Sequence, residues 1–311
     1  MLEILQRISG DLQIPIDILE SAVKYAHSRY RIIKIPKKSG GYRTALQPAV
    51  ELKPILEWVL NVFIKKLPVH DISTAFMDGS SILINAQRHK ASRYSVRVDI
   101  EAFFPSITKL DLYKCPRDQV PSWACTPEFL QFVGHVCFDG NGRLPIGYAT
   151  SPALANAIMH RLDSSLHALL ADRSKYGNAV LTRYADDFVF STDKRGACKT
   201  FVSAIGQILQ NTTSPSLKIN TKKTRYMSRA GGSTLITGLR INNQGSVGVH
   251  ADYRDHVRLL MSLLEKGRLP GDEKAKLLGH LAFIQNTDPA LFTRLSFKYD
   301  QQIAELRKAG H

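Results

Sequence analysis

Ala179-Val180-Leu181-Thr182-Arg183-Tyr184-Ala185-Asp186-Asp187-Phe188-Val189-Phe190-Ser191 sets two adjacent carboxylates inside an otherwise apolar run. Charges beside a core cost on the order of several kcal/mol unless they are paired or bind metal. Strand-forming residues flank them: Val180, Leu181 and Thr182 before, Phe188, Val189 and Phe190 after. That pattern predicts a β-hairpin with Asp186 and Asp187 at its turn. Two readings of the turn stand side by side, a solvated Asp-Asp corner and a pair of carboxylates that holds a metal.

A third carboxylate favours the metal. Ser95-Val96-Arg97-Val98-Asp99-Ile100 alternates polar and apolar residues as a half-buried strand does, and it runs into Glu101-Ala102-Phe103-Phe104-Pro105. An Asp at the end of this strand and the pair at the hairpin turn can converge on one point. Such oxygen ligands suit Mg²⁺, which keeps carboxylates, water and substrate phosphates around it. Two such ions can clamp the attacking and leaving oxygens of an in-line phosphoryl displacement.

With these and further segments in order, the chain resembles the reverse transcriptases, and among them most nearly the retron reverse transcriptases of bacteria. The matching segments run from about residue 29 to about residue 292. They are Ile35-Pro36-Lys37-Lys38-Ser39-Gly40-Gly41-Tyr42-Arg43, Asn85-Ala86-Gln87-Arg88-His89, residues 99–107, Leu144-Pro145-Ile146-Gly147-Tyr148-Ala149-Thr150-Ser151-Pro152, residues 184–187, Leu217-Lys218-Ile219-Asn220-Thr221-Lys222-Lys223-Thr224, and Ile236-Thr237-Gly238-Leu239. One such segment is weak; seven in the family's order are specific.

The resemblance implies an α+β fold, a right-hand polymerase with fingers, a palm of antiparallel sheet plus helices, and a helical thumb. N-terminal helices and fingers would occupy 1–98. The palm would occupy 99–245, with an inserted finger segment at about 107–140, and the thumb 246–311. The implied activity is RNA-directed DNA synthesis by a nucleotidyltransferase. Asp99, Asp186 and Asp187, with the backbone carbonyl of Ile100, would hold two Mg²⁺ ions. Lys223 would stand near the departing pyrophosphate as a general acid, a surface lysine being the other reading. Phe104, five positions after Asp99, would lie against the nucleotide sugar, with Phe103 in the core. Lys37, Lys38 and Arg43 would hold the triphosphate, or form a solvated turn. Gly147 would keep the backbone close beneath the nucleotide, where many relatives carry Gln at the place of Ile146.

Two segments point to the retron enzymes in particular. Asn85 and His89, four apart on one helix face, match a signature of that group. Ile236-Thr237-Gly238 stands where its members typically carry Val-Thr-Gly. Asn85, His89, Thr237 and Gly238 are thus expected at RNA or DNA, as are Arg254 and Arg258 on a thumb helix, for which a solvated face is the alternative. The resemblance further implies a cognate structured non-coding RNA of msr-msd type, primed from a guanosine 2′-hydroxyl and copied into RNA-linked single-stranded DNA (msDNA). Deoxynucleotides would be the substrates. A nearby effector protein and a role in antiphage defence would complete the system. A group II intron-like enzyme and a non-catalytic RNA-binding scaffold are the alternatives.

Composition agrees. The chain has 311 residues, a net charge of +15 and a pI near 9.7, a footprint of nucleic-acid binders. Residues 1–98 carry 15 basic and 8 acidic side chains, residues 99–213 carry 11 of each, and residues 214–311 carry 16 and 8. A neutral centre between two basic flanks suits a catalytic cleft whose walls grip phosphates. Four cysteines without CxxC spacing give no zinc or disulfide framework, and no signal peptide or 18-residue apolar run is seen, so a cytoplasmic protein without membrane contact is expected.

Local patterns complete the expectation. Asp17 with Glu20 predicts a capped helix towards Arg29, and residues 30–45 a hairpin. Ser151-Pro152 predicts a helix start, with Leu154, Ile158, Leu162, Leu166 and Leu169 as its core stripe. Val257, Leu260, Met261 and Leu264 predict a thumb helix stopped by Gly267. A second stripe follows at Leu277, Leu281 and Ile284, and a third helix opens at Asp288-Pro289.

Overall fold

The computed structural model describes residues 1–37 and 40–308; Lys38 lies outside the described residues. Among the described residues, nine strands form three antiparallel sheets. A two-stranded hairpin pairs β1 (Tyr30–Pro36) with β2 (Tyr42–Pro48). A four-stranded sheet uses β3 (Tyr94–Asp99), β4 (Ala179–Tyr184), β5 (Asp187–Thr192) and β6 (Arg225–Ser228) in the order β4-β5-β3-β6. A three-stranded sheet follows from β7 (Ser233–Ile236), β8 (Leu239–Asn242) and β9 (Val247–Val249).

The two faces of the four-stranded sheet have different fates, as alternation requires. Val96, Val98, Leu181, Phe188 and Phe190 face a core filled by the helices Ser151–Ile158, His160–Ala168 and Ala197–Asn211. That core continues without a break through Leu5, Leu19, Ile55, Phe63 and Phe129, so the N-terminal helices pack into it too. The opposite face carries Ser95, Arg97 and Asp99 of β3 and Asp187, Val189 and Ser191 of β5, following the pairing Asp99↔Asp187 and Arg97↔Val189. Part of this face is covered by the helix Ile82–Arg88; the part bearing the carboxylates is not.

A second core joins Ala86 and Val189 to the third sheet and the C-terminal helices Ala251–Glu265, Gly271–Thr287, Pro289–Lys298 and Asp300–Lys308, through Ile236, Val257, Leu277, Leu291 and Leu306. Gly267 ends the first of these helices at φ 65°, and the Asp288 side chain caps the third by accepting the N–H of Leu291. The mixture of helices and antiparallel sheets is the α+β architecture expected. Among the described residues no helix is long and apolar enough to cross a membrane.

Three local expectations change. The first-turn Asp17 does not cap its helix: the element is Ile16–Lys24 behind Pro15, a residue with no side-chain donor or acceptor. Thr150, not Ser151, stands before the helix at 151, so the Ser hydroxyl is buried within the first turn without a partner. The stripe is carried by two helices that meet at Met159, Leu154 and Ile158 on the first and Leu162 and Leu166 on the second, while Leu169 opens a 3-10 turn.

Candidate active site

The hairpin β4-β5 closes through a two-residue turn, Ala185-Asp186, flanked by the pair Tyr184↔Asp187. Asp186 thus sits in the turn, whereas Asp187 is the first residue of β5 and not part of the turn. Ala185 takes a left-handed conformation (φ 56°), which bends the chain tightly enough to set the two carboxylates apart. Asp99 ends β3 directly opposite Asp187, and the N–H of Ile100 donates to the carbonyl of Asp186 at 3.0 Å. Three carboxylates from two strand ends and one turn are therefore brought to the same end of the sheet.

Their environment is costly for negative charge. Asp99 is buried, and its Oδ1 has no hydrogen-bond partner. Burial first, then the Asp99 carboxylate, pushes the Asp186 carboxyl above its ordinary value, with the charges of Lys223 and Arg43 opposing. Burial likewise raises Asp187, while Arg97 pulls it down. The Arg97 Nε donates to Asp187 Oδ1 at 2.8 Å, and the Lys223 Nζ donates to Asp99 Oδ2 at 3.1 Å. Among the described residues no three His, Cys, Asp or Glu side chains are gathered closely enough to hold an ion as they stand. Two of the three carboxylates are instead engaged by cations. A hard, oxygen-preferring divalent cation fits this donor set, given an orphaned buried carboxylate oxygen and two neighbours that burial penalises.

A buried cation lies under the turn. Arg183, wholly buried, donates from Nε and Nη2 to Asp163 at 2.6–3.1 Å, and from Nη1 to Asn156 Oδ1 (3.0 Å) and to the carbonyl of Ala185 (3.3 Å). A buried cation thus braces the left-handed residue of the turn from the helix side. Sequence reading missed Arg97, Asp163 and Asn156; a charged residue at an inward strand position, as Arg183 is, was the available signal.

Other expected residues fall in different places. Arg43 is exposed on β2, near enough for its charge to act on Asp186. Lys37 is exposed and accepts no role in the core; its N–H donates to Gly41 across the hairpin tip. Phe103 is core at 4% exposure, while Phe104 is only partly buried. Gly147, at φ 109°, has Leu46 of β2 against it: a Cβ there would lie 2.6 Å from the Leu46 carbonyl oxygen. The same contact carries a 2.7 Å hydrogen bond from the Leu46 N–H to Ile146. Gly147 therefore serves close packing between the hairpin and the loop.

Asn85 and His89 do share a helix face, but that face points inward. Their exposures are 0% and 1%, so the expectation that they touch nucleic acid gives way to internal bracing. The His89 ring nitrogens meet Ser191 Oγ at 2.5 Å and Thr182 Oγ1 at 2.8 Å, one on each strand of the carboxylate hairpin. Asn85 Nδ2 donates to Thr237 Oγ1 at 3.4 Å, and that hydroxyl donates to the Ile82 carbonyl. Thr237 (φ 46°) and Gly238 (φ 83°) form the two-residue turn between β7 and β8. A β-branched residue in the left-handed region is strained, and these bonds hold it there. Arg254 and Arg258 share an exposed face and both contact Asp255, at 3.1 and 3.3 Å.

Comparisons with known proteins agree with the geometry. A family model described as reverse transcriptase (RNA-dependent DNA polymerase) matches residues 35–281. The retron Ec73 reverse transcriptase of Escherichia coli is 37% identical over 275 residues, covering 86% of this chain and 86% of that protein. The retron Mx162 reverse transcriptase of Myxococcus xanthus is 33% identical over 285 residues, covering 82% of this chain and 57% of that protein. Among solved structures, apo telomerase from Candida tropicalis aligns with a TM-score of 0.51 at 12% identity, over 91% of this chain and 62% of that one, a likeness of fold alone.

Proposed function

We propose, for a chain that belongs to the reverse transcriptase family and within it to the retron enzymes, that it copies a cognate structured RNA into RNA-linked single-stranded DNA. It is an RNA-directed DNA polymerase, a nucleotidyltransferase of a family that works with divalent metal ions. The observation that carries the reading is the register Asp99↔Asp187 with Asp186 in the adjoining turn.

In this reading Asp99, Asp186 and Asp187, with the Ile100 carbonyl, hold two Mg²⁺ ions. When bound, those ions would lower the pKa of the priming hydroxyl and neutralise the departing pyrophosphate. The chain's own groups do the positioning. Lys223, whose Nζ contacts Asp99, is placed to donate a proton to the leaving pyrophosphate. Arg43 and Lys37 bind the triphosphate, Arg43 by its fork of donors. The Phe104 ring lies against the nucleotide sugar and excludes a 2′-hydroxyl. Gly147 acts at the nucleotide indirectly, by letting the hairpin that carries Arg43 close onto the loop.

The flanks bind nucleic acid. Arg254 and Arg258 lie along a phosphate backbone, with the turn at Thr237 and Gly238 facing the priming strand and Asn85 and His89 bracing it from within. An msr-msd type RNA, primed from a guanosine 2′-hydroxyl, supplies primer and template and stays joined to the DNA product. Such RNA is recognised by shape, 2′-hydroxyls and splayed bases. Fingers (1–98), palm (99–245, with the insertion at about 107–140) and thumb (246–311) are the working parts. The system acts in the cytoplasm against phage, through an effector protein encoded nearby.

The test is to express the gene with its native flanking DNA and compare nucleic acid that co-purifies with wild type and with Asp186→Ala. A small single-stranded DNA that shortens with RNase and is lost in the variant supports the proposal. RNA without DNA, even when Mg²⁺ and deoxynucleotides are supplied, would instead identify a non-catalytic scaffold.

A further inference from the structure

Phe76 combines exposure with a strained backbone. Its ring is 51% exposed and its backbone is left-handed (φ 59°), a conformation that a bulky residue rarely adopts. Strain of this sort persists where surrounding structure imposes it, and it clusters at functional sites. The chain leading to it is buried. Ser73, Thr74 and Ala75, immediately before it, are 5%, 2% and 1% exposed.

This segment runs beside β4 as a short parallel bridge, Ser73↔Arg183. The Thr74 N–H donates to the Arg183 carbonyl at 2.8 Å, and the Arg183 N–H donates to the Ile72 carbonyl at 2.6 Å. Asn156 then ties it down, accepting from Ser73 Oγ at 2.9 Å and donating to the Ala75 carbonyl at 2.7 Å. Arg183 and Asn156 are the same groups that brace the Ala185-Asp186 turn. Parallel chains advance together, so the residues after Ser73 travel alongside those after Arg183 towards the carboxylates. Phe76 is where the buried segment emerges, and its ring meets Phe104 with centroids 6.5 Å apart and planes inclined by 58°. Phe104 also packs edge-on against the core residue Phe103, with centroids 5.3 Å apart.

We propose that Phe76 is a specificity residue, the outer half of a two-ring gate that holds Phe104 against the sugar of the incoming deoxynucleoside triphosphate. The inference rests on the assignment of Phe104 given above. Phe104 is held by contacts to two rings, the buried Phe103 and the exposed Phe76, which resist its swinging away to admit a 2′-hydroxyl. Rejection of a slightly larger substrate depends on walls that do not yield. The strained backbone is what aims the Phe76 ring at Phe104 and not at the core.

The experiment measures single-nucleotide incorporation by the full chain on a primed RNA template, as the ratio of kcat/KM for a deoxynucleotide to that for its ribonucleotide. Wild type, Phe76→Gly, Phe76→Leu, Phe104→Ala and the Phe76→Gly/Phe104→Ala double variant are compared. Glycine suits the left-handed backbone, so Phe76→Gly should melt no lower than wild type, which separates a gating effect from misfolding. The expected result is a ratio reduced about tenfold or more by Phe76→Gly, as expected for loosening one wall of a pocket, with Phe76→Leu between it and wild type. The double variant should fall no further than Phe104→Ala, because one gate is lost only once. An unchanged ratio in Phe76→Gly beside a reduced one in Phe104→Ala overturns the role of Phe76 and leaves that of Phe104. Additive losses overturn the shared gate. A ratio unmoved by Phe104→Ala overturns the assignment of Phe104, and the proposal with it.

Discussion

Arg183 and Asp163 form an ion pair in which neither side chain has any exposure, and the same guanidinium reaches the carbonyl of Ala185 at 3.3 Å. Burial pushes the Asp163 carboxyl above its ordinary value, against the opposing pull of Arg183, which donates to both of its oxygens. Such a pair is a poor source of net stability but an expensive thing to break. Its place beneath Ala185-Asp186 makes it a support for the carboxylate-bearing turn.

Asp163→Ala should therefore lower unfolding free energy by about 3–5 kcal/mol, since it leaves a buried guanidinium unpaired. The double variant Asp163→Leu/Arg183→Met should recover most of that loss while still slowing DNA synthesis, because the Ala185 carbonyl loses its donor. Urea denaturation alongside primer extension measures both. Equal loss of stability in the single and double variants would count against the argument.

Asp186→Asn should abolish synthesis and raise the melting temperature of the metal-free protein. Burial and the Asp99 carboxylate already disfavour charge at this position, so a neutral isostere relieves a penalty. Melting curves in EDTA and incorporation assays in Mg²⁺ check the two halves. A lower melting temperature would show that the carboxylate is stabilising after all.

His89 makes folding sensitive to acid. Burial, aided by Arg88, lowers its pKa from 6.5 to about 3, so the ring is neutral in the folded chain and protonates first in the unfolded one. Its contribution is complete above pH 6.5 and is lost as pH falls from 6.5 towards 3, at roughly 1.4 kcal/mol per pH unit. Chemical denaturation at pH 7.5, 6 and 5 should show this slope in wild type, and a shallower one in His89→Gln, which no longer has a proton to bind.

Gly147→Ala should cost about 1–3 kcal/mol, from a left-handed backbone and a Cβ driven into the Leu46 carbonyl. Because β2 carries Arg43, the nucleotide KM should rise more than the affinity for RNA falls. Incorporation kinetics and RNA binding, measured on one preparation, separate the two.

Some of this was legible in the chain. Alternation placed Asp99 at a strand end, and the apolar run on either side of Asp186 and Asp187 announced a hairpin, because strand period and turn chemistry are local properties. Spacing also put Asn85 and His89 on one helix face. It could not say that the face turns inward, since direction depends on what packs against the helix. His89 is held by Thr182 and Ser191, 93 and 102 residues further along the chain.

The sequence by itself determined the family, the carboxylates and the elements that carry them, all of which depend on residues close together in the chain. The tertiary structure alone decided what steadies those carboxylates and which rings meet beside them. Arg97 on Asp187, Arg183 on Asp163, and Phe76 on Phe104 each join segments with no common local pattern. The physical reason is that a buried charge or a strained ring is tolerated only where distant parts of the chain converge to hold it, and that convergence exists only in the folded molecule.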